Sequence, residues 1–192
     1  MDVTPETIIS ILIGIGLAAS VGFRIFVPLF ALSLASFYNI IPLNESWQWV
    51  GSSTAIIILG IATIVEILAY FIPWLDNLLD TIAIPLAAIA GTAVMVATVS
   101  DLDPTITWAL AIIAGGGTAT AIKGSTSSAR LASTATTAGI ANPVISTVET
   151  GTSIIMSVLA IFIPILAIIL VIFIGWMLFK VFKLFKPSKS KK

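Results

Sequence analysis

Residues Thr105 to Gly139 read TITWALAIIAGGGTATAIKGSTSSARLASTATTAG, and the placement of this stretch decides the fold. Its first ten residues are apolar, three glycines then interrupt them, and 21 of the 25 residues from Gly115 to Gly139 are Gly, Ala, Ser or Thr. A soluble linker can share that composition. Here, however, alanine and threonine dominate over proline and charge, and apolar helical stretches must pack on both sides. Small residues let transmembrane backbones approach closely, and their hydroxyls bond across helices. The stretch therefore reads as a fourth membrane unit, broken at Gly115, Gly116 and Gly117, threaded through the interior and ended by Asn142-Pro143.

The rest of the chain agrees with a membrane setting. Of 192 residues, 58 % are hydrophobic and 9 % charged, against about 25 % charged in soluble domains. The composition predicts an all-α polytopic membrane bundle, a single domain over residues 1–179 followed by a basic tail, 180–192. Cysteine and histidine are both absent. That removes thiolate and imidazole nucleophiles, bases and metal ligands, so we expect no enzyme, metal or cofactor.

Five spans are expected. The first apolar run, Ile8 to Ile41, would be about 50 Å long as one helix, too long for a hydrocarbon core of about 30 Å. Gly14, Gly16, Gly22 and Pro28 supply places to break it. Thr4-Pro5-Glu6 before it is a helix start, and the absence of a basic segment there argues against a cleaved leader. Ser53–Ile72 and Thr81–Ser100 are the second and third spans, and Thr152–Phe179, kinkable at Pro164, is the last. Asp76/Asp80 and Asp101/Asp103 read as solvated ends at opposite faces of the third span. Six of the seven lysines lie in the last thirteen residues, which places the C-terminus in the cytoplasm and, with five crossings, the N-terminus outside. These lysines can also attract anionic lipid, although a topology anchor suffices to explain them.

A shift of 101 residues superimposes Gly14 on Gly115, Gly16 on Gly117, Ala18 on Ala119 and Pro42 on Pro143. Segments 8–74 and 105–179, joined by span 81–100, then read as inverted-topology halves, the plan of many secondary transporters.

Ionisable groups inside apolar spans are costly and mark function or pairing. Arg24, Glu66, Lys123 and Arg130 lie within spans, and Glu149 lies at the start of the last. Lys123 and Arg130, seven apart, share a helix face. Three cations against two acids leave a residual charge of +1, enough to hold one anion. Arg24, Lys123, Arg130, Asn142 and Ser146 are accordingly the candidate binding residues, with Glu66 or Glu149 gating or coupling protons. The competing reading is that the arginines and glutamates are ion pairs that fix helix register. Ser146 and Glu149 also have the spacing of a capping box at a helix start.

Three motifs in order, Gly22-Phe-Arg24-Ile-Phe-Val-Pro28, Pro73-Trp-Leu-Asp76-Asn-Leu-Leu-Asp80, and Arg130 followed by Gly139-Ile-Ala-Asn142-Pro143-Val-Ile-Ser146-Thr-Val-Glu149, resemble an uncharacterised bacterial membrane family, domain of unknown function 4126. The resemblance covers residues 8 to 170. It implies a bacterial inner-membrane protein and points to Arg24, Arg130, Asn142 and Glu149 as one constellation, with Lys123 at a variable position. The function expected is a small transporter or channel for an anion or anionic-headgroup lipid; the alternative is a non-transporting scaffold or subunit. The expected partners are the bilayer and such an anion or lipid, with a homo-oligomer compatible and nucleic acid excluded.

Overall fold

The computed structural model describes residues 4–100 and 102–185. Asp2, Asp101 and the tail from residue 186 onward lie outside the described residues. Among the described residues there is no strand. The helices are α1 (Pro5–Phe23), α2 (Phe26–Phe37), α3 (Ser53–Ala69), α4 (Pro73–Thr98), α5 (Pro104–Leu110), α6 (Gly117–Thr137), α7 (Asn142–Phe162) and α8 (Pro164–Phe185), with a 3₁₀ turn at Glu45–Gly51 and a π segment at Ala111–Gly116. The protein is an all-α polytopic membrane bundle. Four helices, Pro5–Phe23, Trp74–Thr98, Pro104–Thr137 and Asn142–Phe162, are long and apolar enough to cross a membrane. A fifth crossing arises if the pair Glu45–Gly51 and Ser53–Ala69, bent by 66°, is one span.

Local chemistry sets the helix starts. The Thr4 hydroxyl accepts from Thr7 N at 3.2 Å and Pro5 occupies the first turn, while Asp103 caps α5 by accepting from Thr105 N at 2.8 Å. Proline likewise opens α4 and α8, where a missing N–H costs nothing.

The first apolar run is a hairpin rather than one bent helix. Arg24 is extended (φ −138°, ψ 133°), α2 turns back, and Ile40 and Ile41 return to the cavity lined by Ile9 and Ser10. The last span also differs from expectation. It is two helices, because α7 begins ten residues early at Asn142 and ends at Ile163, after which α8 returns beside it. Ala160 and Ala167 both pack on Gly16, and Thr152 faces Ile174 across a shared groove. Ser146 and Glu149 are therefore inside a helix, and they form no capping box.

The glycine triplet does not break its helix. Pro104–Thr137 is continuous, with the surplus residue absorbed in the π segment. A Cβ on Gly115 would lie 2.6 Å from Gly91 O, and one on Gly116 2.6 Å from Thr92 Oγ1. These two glycines allow the backbones of α4 and α5–α6 to touch, whereas Gly117 meets nothing within 4 Å. The chain turns only after Thr137, where Ala138 (φ 52°) and Gly139 (φ 82°) adopt left-handed backbone.

Contacts fix the directions of the rods. The pairs Gly51–Ser36 and Gly60–Phe30 make α2 and α3 antiparallel, as Gly14–Met95 and Ser10–Ser100 do for α1 and α4. The rods alternate throughout, so α1 starts at one end of the bundle and α8 runs to the other. Gly22 abuts Ile122, and the Phe23 carbonyl accepts from Lys123, so α1 and α6 run side by side in the same direction. That is not the relation between inverted halves superimposed by a 101-residue shift. The outer surface is apolar: Ile57, Ile58, Ile61, Ile64, Val65 and Leu68 of α3 are all exposed, as a lipid-facing surface requires.

Candidate functional site

Arg130 projects from α6 into the interior near the end of the bundle where α4 and α7 begin. Its Nη1 donates to Asp76 Oδ1, its Nη2 to Glu149 Oε2 and to Ser146 Oγ (2.9 Å), and its Nε to Glu149 Oε1 (3.1 Å). The planar guanidinium fork suits this two-carboxylate geometry. One side chain thus ties α4, α6 and α7 together, with Arg130 2 % exposed, Asp76 2 % and Glu149 3 %. Asn142 Nδ2 donates to Asp76 Oδ2 at 3.0 Å, closing the clasp towards the helix ends.

Arg24 enters from the α1–α2 corner. Its Nε donates to Thr150 Oγ1 and its Nη2 to Ser146 O, both at 2.9 Å, and Nη2 lies 3.7 Å from Glu149 Oε2. Tyr70, buried at the end of α3, carries Arg24 and Arg130 against its ring, at 3.9 and 4.6 Å from the centroid. Lys123 Nζ is 5.8 Å from the same centroid and donates to Phe23 O at 3.0 Å, the last carbonyl of α1. Cations over an aromatic face are favoured most when desolvated.

Arg24, Lys123, Arg130, Asn142, Ser146 and Glu149 are therefore brought together. Glu66 sits beside them with a separate task. Its carboxylate accepts from Ile25 N (2.8 Å) and Phe26 N (2.9 Å), anchoring the start of α2 with negative charge. Gly115, Gly116 and Gly117 lie away from this group, about 20 Å along the helix from Arg130.

Asp76 corrects the charge count. It is a buried partner of Arg130, and neither it nor Asp80 belongs to a solvated linker, because α4 starts at Pro73. Buried cations (Arg24, Lys123, Arg130) and buried acids (Glu66, Asp76, Glu149) then balance at three each. The residual positive charge expected for an anion is gone. Among the described residues no three acids converge as a metal site.

Beyond Arg24 the polarity continues as hydroxyls between α1 and α7. Thr150, Ser153 and Ser157 recur every three or four residues on α7. Ser20 Oγ lies 2.9 Å from Ser153 Oγ and 2.7 Å from Ser157 Oγ. Ser20, Ser153 and Ser157 are at most 1 % exposed. Past Ser157 the seam is dry: Gly16, Leu17, Ala160 and Ala167 pack without a polar side chain.

A cavity opens at each end. One of ≈ 240 Å³ is lined by Tyr70, Asp76, Asn77, Thr134 and Asn142, the outer face of the clasp. The other, of ≈ 420 Å³, is lined by Glu6, Ser10, Thr98 and Ser100. Arg24 Nη1, Asp80 Oδ1, Ser127 Oγ and Asn142 Oδ1 are buried without a protein partner, a state ordinarily met by internal water.

Sequence reasoning missed Asp76, Tyr70 and the hydroxyl seam. Proline at position 73 marked a helix start that would have put Asp76 in a buried first turn, and the Ser146–Thr150–Ser153–Ser157 spacing is helical.

Fold and site define a polytopic α-helical membrane protein with a buried charge clasp. The chain belongs to the family described as Domain of unknown function (DUF4126), whose model matches residues 11–183. No curated protein and no solved structure is detectably similar to it.

Proposed function

We propose that this protein is a proton-translocating membrane transporter, and not an enzyme, with the Asp76–Arg130–Glu149–Arg24 clasp as its gate. The carrying observation is the alignment of buried polar groups on one side of the clasp, which ends at the dry stretch past Ser157. The clasp lies between a cavity into which Asp76, Asn77, Thr134 and Asn142 project among apolar walls and the Ser20–Ser153–Ser157 seam, whose hydroxyls lie 2.7–2.9 Å apart. Hydroxyls at this spacing relay a proton when they turn from the backbone carbonyls they also reach (Ser153 O for Ser20 and Ser157, Ser20 O for Ser153), and they leave no room for a larger ion.

Each arginine shares Glu149, so protonating that carboxylate weakens both links at once. Arg130 would keep Asp76, and Arg24 would keep Thr150 and the Ser146 carbonyl. The dry stretch at Leu17, Ala160 and Ala167 is the barrier that a change in helix packing must open before the proton reaches the far cavity. The lysine-rich end, to which α8 runs, is assigned to the cytoplasm, with the N-terminus outside, in the cytoplasmic membrane of a bacterium. The balanced fixed charge favours this reading over an anion carrier.

Complete pairing of Arg130 supports a second reading, a scaffold whose clasp only fixes helix positions. Proteoliposomes with an entrapped pH dye and an imposed potassium diffusion potential separate the two. Wild type should acidify or alkalinise the lumen according to the sign of the potential, and Glu149→Gln should abolish this. Flux equal to that of empty liposomes would overturn the transporter reading and leave the scaffold.

A further inference from the structure

A groove runs along α8, and one of its walls includes Glu149 of the clasp. We infer that it is a binding site for one acyl chain of an anionic phospholipid, whose headgroup sits at Lys180. Two open depressions flank the contact between Ile122 and α8, one of ≈ 570 Å³ between α6 and α8 and one of ≈ 480 Å³ among α6, α7 and α8. They share Ile122, Ser125 and Leu178. The walls are mostly apolar, and two glycines, Gly124 on α6 and Gly175 on α8, border the first depression. A Cβ on either would meet nothing within 4 Å. Gly22, Gly91 and Gly115 serve close contact between helices; Gly124 and Gly175 instead leave a gap.

Size selects the occupant. Each depression holds about the volume of one turn of a helix 10–12 Å across, a short seat for a helix from a second copy and ample room for a single hydrocarbon chain. A flexible hydrocarbon chain follows such a groove. Charge selects the headgroup. Lys180 lies two residues beyond Leu178, its Nζ 5.0 Å from the Trp176 ring centroid, and Lys183, Lys186, Lys189, Lys191 and Lys192 follow in the sequence. Tryptophan belongs at headgroup depth, and a lysine cluster just beyond a membrane helix attracts anionic lipid.

The test uses the full-length protein in a lipid-free detergent with added phosphatidylglycerol or phosphatidylcholine, read by native mass spectrometry and by Tm. The expected result is a retained phosphatidylglycerol adduct and a Tm rise larger than phosphatidylcholine gives, diminishing with salt. The Gly124→Leu/Gly175→Leu variant fills open space. It should keep the lipid-free Tm, yet lose the adduct and the rise. Lys180→Gln, which leaves the groove intact, should reduce the preference between the two lipids. Equal effects of the two lipids would overturn the inference, as would wild-type binding by the filled variant. So would a protein dimer, without lipid, that the filled variant dissociates. If the double variant does not fold, Gly175→Leu alone and Lys180→Gln carry the same outcomes.

Discussion

Replacing Arg130 by glutamine removes one cation that serves two buried carboxylates. The consequence for each follows from its remaining partners. Glu149 keeps Arg24 Nη2 at 3.7 Å, whereas Asp76 keeps only the amide of Asn142 at 3.0 Å. Breaking a buried pair from one side costs about 3–5 kcal/mol. For a chain of this size each kcal/mol corresponds to about 2–4 °C, so Arg130→Gln should lower Tm by roughly 6–20 °C in detergent. The asymmetry is the sharper expectation: Asp76→Asn should rescue Arg130→Gln more than Glu149→Gln does, because Asp76 is the carboxylate left without a cation. Thermal unfolding of the three single variants and two doubles gives the coupling energies directly, expected at about 0.5–3 kcal/mol. An unchanged Tm for Arg130→Gln, or rescue by Glu149→Gln alone, would refute the clasp as described.

Gly115→Ala places a Cβ 2.6 Å from the Gly91 carbonyl and should destabilise by about 1–3 kcal/mol, while Gly117→Ala, in open space, should be neutral or stabilising by up to about 1 kcal/mol; unfolding of the pair checks both. Glu66→Ala removes both acceptors at the start of α2 and should cost about 1–2 kcal/mol, with Glu66→Gln, which keeps one acceptor, less harmful. Ser20→Ala interrupts the seam and should reduce proton flux in proteoliposomes at least about tenfold, for a stability loss of only about 1 kcal/mol. Equal flux in that variant would remove the seam from the route.

What the sequence made legible follows from strong, local signals. Apolar content specified a membrane bundle, the Thr4-Pro5 and Asp103-Pro104 pairs located helix starts, and costly intramembrane charges named Arg24, Arg130 and Glu149. The misreadings share one cause, long-range contact. Gly115 and Gly116 look like a break in isolation and become contact points only because α4 presents Gly91 and Thr92 opposite them. Asp76 looks solvated because its partner is 54 residues away. Arg24 and Pro164 each interrupt an apolar run, but whether the chain bends or reverses there depends on what packs alongside: Glu66 holding the α2 start, and Gly16 receiving both Ala160 and Ala167.

Cysteine accessibility tests most directly that the clasp stands between two aqueous mouths on opposite faces of the membrane, since the chain has no cysteine of its own. In sealed vesicles, Asn77→Cys should react with a membrane-impermeant maleimide only from the side bearing the lysine tail. Ile40→Cys should react only from the other side, and Ser153→Cys from neither. Labelling of Asn77→Cys and Ile40→Cys from the same side, or of Ser153→Cys from both, would contradict a closed gate between opposed cavities.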